Sequence, residues 1–130
     1  MRQPKYRAWV KDEKRMLPVG DLDLSYKTTY LEESNGYRCE RFFDEIELME
    51  FTGLKDKNVV EIYEGDIVRY TDGIKEITCP VRFIKEYACF GVEWRNGLLV
   101  SFEYLESTYT MLDDLEVVGN IYENKELLGE

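Results

Sequence analysis

The sequence predicts a mainly β protein, an N-terminal β-hairpin unit packed with a small SH3-like barrel at the C-terminal end. Three observations predict it. Apolar and polar residues alternate at period two through most of the 130 residues, the pattern of strands with one buried face. Asn35-Gly36, Asp72-Gly73 and Asn96-Gly97 interrupt that alternation. Such pairs are the strongest short hairpin signals, because both central residues of a type I′ turn need positive φ. Aromatic residues make up 14% of the chain, ten of them tyrosines, and aromatic side chains favour strands.

The elements follow in order. In "KYRAWVKDEKRMLPV", Tyr6, Ala8 and Val10 fall on one face and Arg7 and Trp9 on the other. "KDEK" is a polar turn and "RMLPV" the returning strand, so a hairpin opens the chain. Trp9 anchors either a core or an interface. Leu22, Leu24 and Tyr26 carry the alternation on to "SNGY", and "YRCERFF" returns from that turn. "DEIELMEFTG" reads as a strand, although a one- or two-turn helix would use the same letters.

In the second half "IVRY", "IKEITCPVRFIKE", "YACFGVEW", "LLVSFEYL" and "LEVVGNIYEN" are five strands. Five strands in about 60 residues fit a small barrel. "STYTMLDD" is a polar turn and "KELLGE" a short helix or tail. Pro80 cannot donate to a ladder, which predicts an edge position or a bulge. The chain divides into an N-terminal β unit with its connector, 1–60, and a barrel with its tail, 61–130. Residues 1–50 have too few apolar partners to melt cooperatively alone.

The connector, "FTGLKDKNVVEIYEGDIVRY", is dense in turn signals. Thr52 and Gly53 can break the strand before them. Asp56 and Asn58 can accept from nearby backbone amides. Glu64 and Gly65 turn the chain, and Asp66 ties the turn amides where the next strand begins. Gly53, Asp56, Asn58, Glu64, Gly65 and Asp66 therefore form a structural motif.

Three blocks, taken in order, carry a resemblance: "KYRAWVKDEKRM", then "ELMEFTGLKDKN" with "EIYEGDIV", then "EVVGNIYENKELL". They resemble the YopX family, small proteins carried by bacteriophages and prophages, mainly of Gram-positive bacteria. The blocks bracket essentially the whole chain. The resemblance implies a YopX-like, mainly β fold. It supplies no mechanism, since the family has no established biochemical activity and no catalytic residues to carry over. Two positions depart from the family pattern. Val59 stands where glycine is usual, and a β-branched residue resists positive φ, so extended backbone is expected there. Lys125 stands where proline is common.

Composition narrows the function. The net charge of -10 repels phosphate backbones, which disfavours nucleic acid as a partner. The chain has no histidine, which removes the commonest general base, the commonest metal ligand and every His-activated nucleophile. Cys39, Cys79 and Cys89 form no CxxC pair and read as three reduced, partly buried thiols. Neither a P-loop, a GxGxxG turn nor a GxSxG elbow occurs. "DLD" at 21–23 and the carboxylates Glu61, Glu64 and Asp66 do not match EF-hand spacing. No catalytic, cofactor or metal residue is assigned, and an enzyme is the last choice. No charged-then-apolar leader and no long apolar run appear, so a soluble protein of the bacterial cytoplasm, off the membrane, is expected.

The aromatic surplus remains. Trp9, Trp94 and Tyr104 are candidate interface residues, because interfaces favour Tyr and Trp. The leading expectation is a phage accessory protein that binds protein, itself or a host or phage partner, as a homo-oligomeric scaffold. A nucleic-acid-associated barrel module is one alternative. An acidic decoy that occupies a host nucleic-acid-binding protein is another.

Overall fold

The computed structural model describes residues 4–109 and 113–129. The chain folds as two compact units, Met1–Phe51 and Thr52–Glu130, each an antiparallel β structure. The polar turn expected at 107–114 lies partly outside the described residues, and its first part is helical.

In the first unit, β1 (Tyr6–Val10), β2 (Arg15–Asp23), β3 (Thr28–Glu32) and β4 (Arg38–Phe42) follow one another, and a 3-10 turn, Phe43–Glu45, leads into β5 (Ile46–Lys55). β1 lies between β2 and β5, and the strands run in the order β4-β3-β2-β1-β5. Ala8 and Val10 from β1, Leu17 from β2, Leu31 from β3 and Ile46 from β5 form its buried core. The opening hairpin therefore has the predicted faces. Leu24 and Tyr26 do not. Both are more than three-quarters exposed, because the chain turns at 24–27, where Asp23 Oδ1 accepts from Ser25 and Tyr26 amides at 3.0 and 3.1 Å.

The exposed rim of this unit is held by charge. Glu13 lies between Arg15, at 2.5 Å, and Arg41, and Arg15 also reaches Glu33 at 2.8 Å. The Arg15 hydrogen bond, with Arg41 helping, holds the Glu13 carboxyl below its ordinary 4.5. A carboxyl depressed in the folded state contributes stability above its unfolded pKa and loses it as pH falls through the folded value. Glu13→Gln is therefore expected to flatten the loss of stability below about pH 4.5 in denaturant titrations at stepped pH, with the two proteins converging in strong acid.

The second unit holds β6 (Glu61–Tyr63), β7 (Asp66–Thr71), β8 (Glu76–Ile84), β9 (Cys89–Glu93), β10 (Leu99–Ser101), α1 (Phe102–Tyr109) and β11 (Glu116–Asn120). Five of the strands form a sheet in the order β10-β9-β8-β7-β11. β10 and β11 are its two ends, so the sheet is open and the expected barrel closure is absent among the described residues. Its core gathers Val68 and Tyr70 from β7, Cys79 and Val81 from β8, Val92, Val100, Phe102, Leu105 and Leu115.

Pro80 is buried in a central strand, which corrects the expected edge or bulge. β8 pairs with β7 up to Ile67↔Pro80 and with β9 from Val81↔Val92. The missing N–H thus falls at the seam between two ladders, where its cost is least. The run "LLVSFEYL" is likewise not one strand. It divides after Ser101, whose Oγ accepts the Tyr104 amide at 3.1 Å and opens α1, as a serine N-cap does.

The three Gly-containing hairpin turns are present, but they are not type I′. Only Gly36, Gly73 and Gly97 are left-handed, at φ 88°, 94° and 87°. Asn35, Asp72 and Asn96 keep negative φ and use their side chains instead, accepting from Tyr37 at 3.1 Å, from Ile74 and Lys75 at 2.8 Å, and from Leu98 at 3.0 Å. These are longer loops built on a type I turn and closed by a glycine.

The connector has two corrections. β5 continues through Thr52 and Gly53 to Lys55, with Gly53 at φ 90°. Buried Thr52 sustains the passage, its Oγ1 donating to Ile62 O at 2.8 Å and accepting from Leu54 N at 3.1 Å. Val59 is not extended. It sits at φ 65°, the left-handed conformation that the family's usual glycine adopts freely. Its amide donates to Asp56 O at 3.0 Å to close the turn, and this geometry outweighs the residue's preference. Val59 is 70% exposed, so its side chain contributes little packing. Val59→Gly is expected to stabilise the chain by about 1 kcal/mol, the relieved left-handed strain less the entropy glycine adds to the unfolded state. A rise in urea midpoint with unchanged m-value checks it.

Candidate binding groove

The turn after β9 builds one wall of a groove in the second unit. Trp94 N donates to Leu98 O at 2.9 Å and Gly97 N to Trp94 O at 2.8 Å, so the chain reverses and Leu98 leads into β10. Trp94 is fixed from below, its indole N–H donating to Tyr70 Oη at 2.8 Å. Burial pushes the Tyr70 hydroxyl up and the Cys79 thiol beside it up to about 12. Both stay neutral near pH 7, and this anchor is apolar in character.

The opposite wall is α1. Phe102 and Leu105, three residues apart, turn into the core. The same helical spacing leaves Glu103 and half-exposed Tyr104 on the outside. Between the walls lies a cleft of about 580 Å³, within the range of small ligand sites. Leu98 to Ser101 form its floor, and Tyr87 and Cys89 close one end. Tyr87, Leu98, Leu99 and Tyr104 are exposed. A second cleft, of about 570 Å³, lies on the far side of Trp94. Asp72, Lys75, Glu76 and Arg95 mix charges there beside Ile77 and Leu127. Among the described residues, no group of three or more His, Cys, Asp or Glu is placed to hold a metal ion.

The residues singled out in the sequence fall in three places. Gly53, Asp56 and Asn58 belong to the connector, where 6%-exposed Asp56 accepts from Asn58 and Val60 amides at 2.8 and 2.9 Å through Oδ1. Its Oδ2 accepts from Val117 N at 2.8 Å, tying the turn to β11. Glu64 and Gly65 make the β6–β7 turn, and Asp66 Oδ2 accepts from Tyr63 N at 2.8 Å. Gly65, at φ 89°, bonds both neighbours through its backbone, donating to Val81 O at 3.0 Å and accepting from Ile121 N at 2.9 Å. Trp94 and Tyr104 meet in the groove, while Trp9 lies in β1 of the other unit. Sequence reasoning passed over Leu98, Leu99 and Glu103. Their only signal was an apolar pair, Leu98-Leu99, straight after a turn glycine.

Two antiparallel β units, with one short α-helix among the described residues, define a small, mainly β protein with a structural connector motif. The YopX protein family model matches residues 5–129, and the chain belongs to that family. The crystal structure of protein EF1440 from Enterococcus faecalis is similar, at 31% identity and a TM-score of 0.66, covering 98% of this chain and 99% of that one. No curated protein matches the chain. No helix among the described residues is long and apolar enough to cross a membrane.

Proposed function

We propose that the chain is a non-enzymatic, phage- or prophage-encoded accessory protein that works by binding protein, and that its working surface is the groove between β10 and α1. The observation that carries this reading is the exposed apolar lining. Tyr87, Leu98, Leu99 and Tyr104 stay open to solvent beside a rigidly anchored tryptophan. Amphipathic aromatic side chains around an apolar floor are the usual make-up of a protein-binding hot spot.

A displayed library of random twelve-residue peptides, selected on the full chain, tests the reading. Peptides that compete for one site are expected. Leu98→Asp, at a 52%-exposed position, is expected to weaken them at least tenfold while the far-ultraviolet spectrum and urea midpoint stay put. Peptides indifferent to Leu98→Asp, or no enriched peptide at all, would remove the groove from consideration. The self-assembling scaffold is the companion reading, favoured by the exposed sheet end at β10. A solution mass several times 15.5 kDa that collapses in the same variant supports it.

A further inference from the structure

We infer that the groove takes its occupant as an added strand, an extended segment of a partner polypeptide that pairs with the edge of β10, alternates apolar residues, and carries a Lys or Arg opposite Glu103. This rests on the protein-binding reading above and specifies its chemistry.

Three observations carry it. First, Leu99, Val100 and Ser101, the whole of β10, line the cleft, with Leu98 just before them. Successive side chains of a strand point to opposite faces, so a cleft on one face would meet alternate residues only. A cleft that meets three in a row runs along the backbone edge. Second, β10 ends the sheet: it pairs with β9 through Leu99↔Glu93, Val100↔Val92 and Ser101↔Gly91, and the strand order gives it no second neighbour among the described residues. An end strand presents N–H and C=O groups to whatever lies beside it. Main-chain pairing then supplies affinity and the pockets beside it supply side-chain choice. Third, Glu103 is the one charged residue in the lining among the described residues, on a chain of net charge -10. The field favours a cationic occupant. It opposes a second copy, which brings the same net charge of -10.

The test uses the full chain and the groove-dependent peptides selected above. Their sequences are expected to alternate apolar residues and to be enriched in Lys or Arg at one register. Adding peptide is expected to slow hydrogen exchange of the amides at 98–101. Glu103→Lys is expected to weaken these peptides about fivefold at low salt, the scale of reversing one partly exposed ion pair. A fresh selection on that variant is expected to enrich Asp and Glu instead. Groove-dependent peptides that leave the exchange at 98–101 unchanged, or that ignore the charge at 103, overturn this inference and leave the protein-binding reading standing. A dimer that forms through the same edge and excludes every peptide also overturns it, because the occupant is then a second copy. Absence of any groove-dependent peptide overturns both.

Discussion

Asp56→Ala is expected to cost about 3–5 kcal/mol of stability, because it strips the acceptor from three backbone amides together. Asn58, Val60 and Val117 all donate to this one carboxylate at 2.8 to 2.9 Å. An unsatisfied buried donor costs about 1–3 kcal/mol, and water can recover only part of that at a site as closed as Asp56. The turn is also strained, since it holds Val59 left-handed. Losing the clamp releases that strain into a looser connector and frees β11 from it at Val117. Asp56→Asn is the instructive companion. It keeps one oxygen but points an amide N–H₂ at either the turn amides or Val117, donor against donor, and is expected to cost about 2 kcal/mol. Urea unfolding with both variants decides it: a loss under about 1 kcal/mol for Asp56→Ala would mean that water serves these amides as well as the carboxylate does.

Gly91→Ala is expected to cost about 3 kcal/mol through a different cause, the lack of room. A Cβ at Gly91 would lie 2.2 Å from Val100 O, 2.7 Å from Ile84 Cδ1 and 2.8 Å from Ser101 Cα. Two of those three neighbours are backbone, which cannot rotate away. β10 would have to lift from β9, and β10 is the floor of the groove. The variant is therefore expected to lose peptide binding along with stability. Ala at Gly36 or Gly73, whose Cβ positions meet nothing within 4 Å, would suffer only from positive φ. Equal losses at 91 and 73 would show that crowding is not what fixes glycine in β9.

Much of the fold was legible because its signals are local. Each Asn-Gly or Asp-Gly pair announced a reversal, and the alternation of Tyr6, Ala8 and Val10 announced a face. The turn type was not legible, because Asn and Asp can serve a turn either by entering positive φ or by accepting an amide, and the letters are the same. The turn at Lys27 hid for a related reason: that residue is left-handed, at φ 56°, with no glycine to mark it. α1 hid inside an aromatic, alternating run whose strand propensity yielded to the burial of Phe102 and Leu105 on one helical side. The clamp was half visible. Asp56 reads as a turn acceptor, but Val117 is 61 residues further on, and no local pattern carries such a distance. The groove was the least legible part. Trp94 and Tyr104 stood out as aromatics, whereas Leu98, Leu99 and Glu103 acquire their role only where β10 ends a sheet.

The two tryptophans are divided between the units, Trp9 in β1 and Trp94 after β9. Each unit therefore carries its own optical reporter. Trp94 has its indole bonded to a buried tyrosine and emits from a fixed, apolar seat, so opening of that unit shifts its fluorescence to the red. With Trp9→Phe only the second unit is seen, and with Trp94→Phe only the first. Two single-tryptophan titrations thus measure how far the units share one cooperative transition. A common midpoint would make them one thermodynamic body, and separate midpoints would assign each unit a stability of its own.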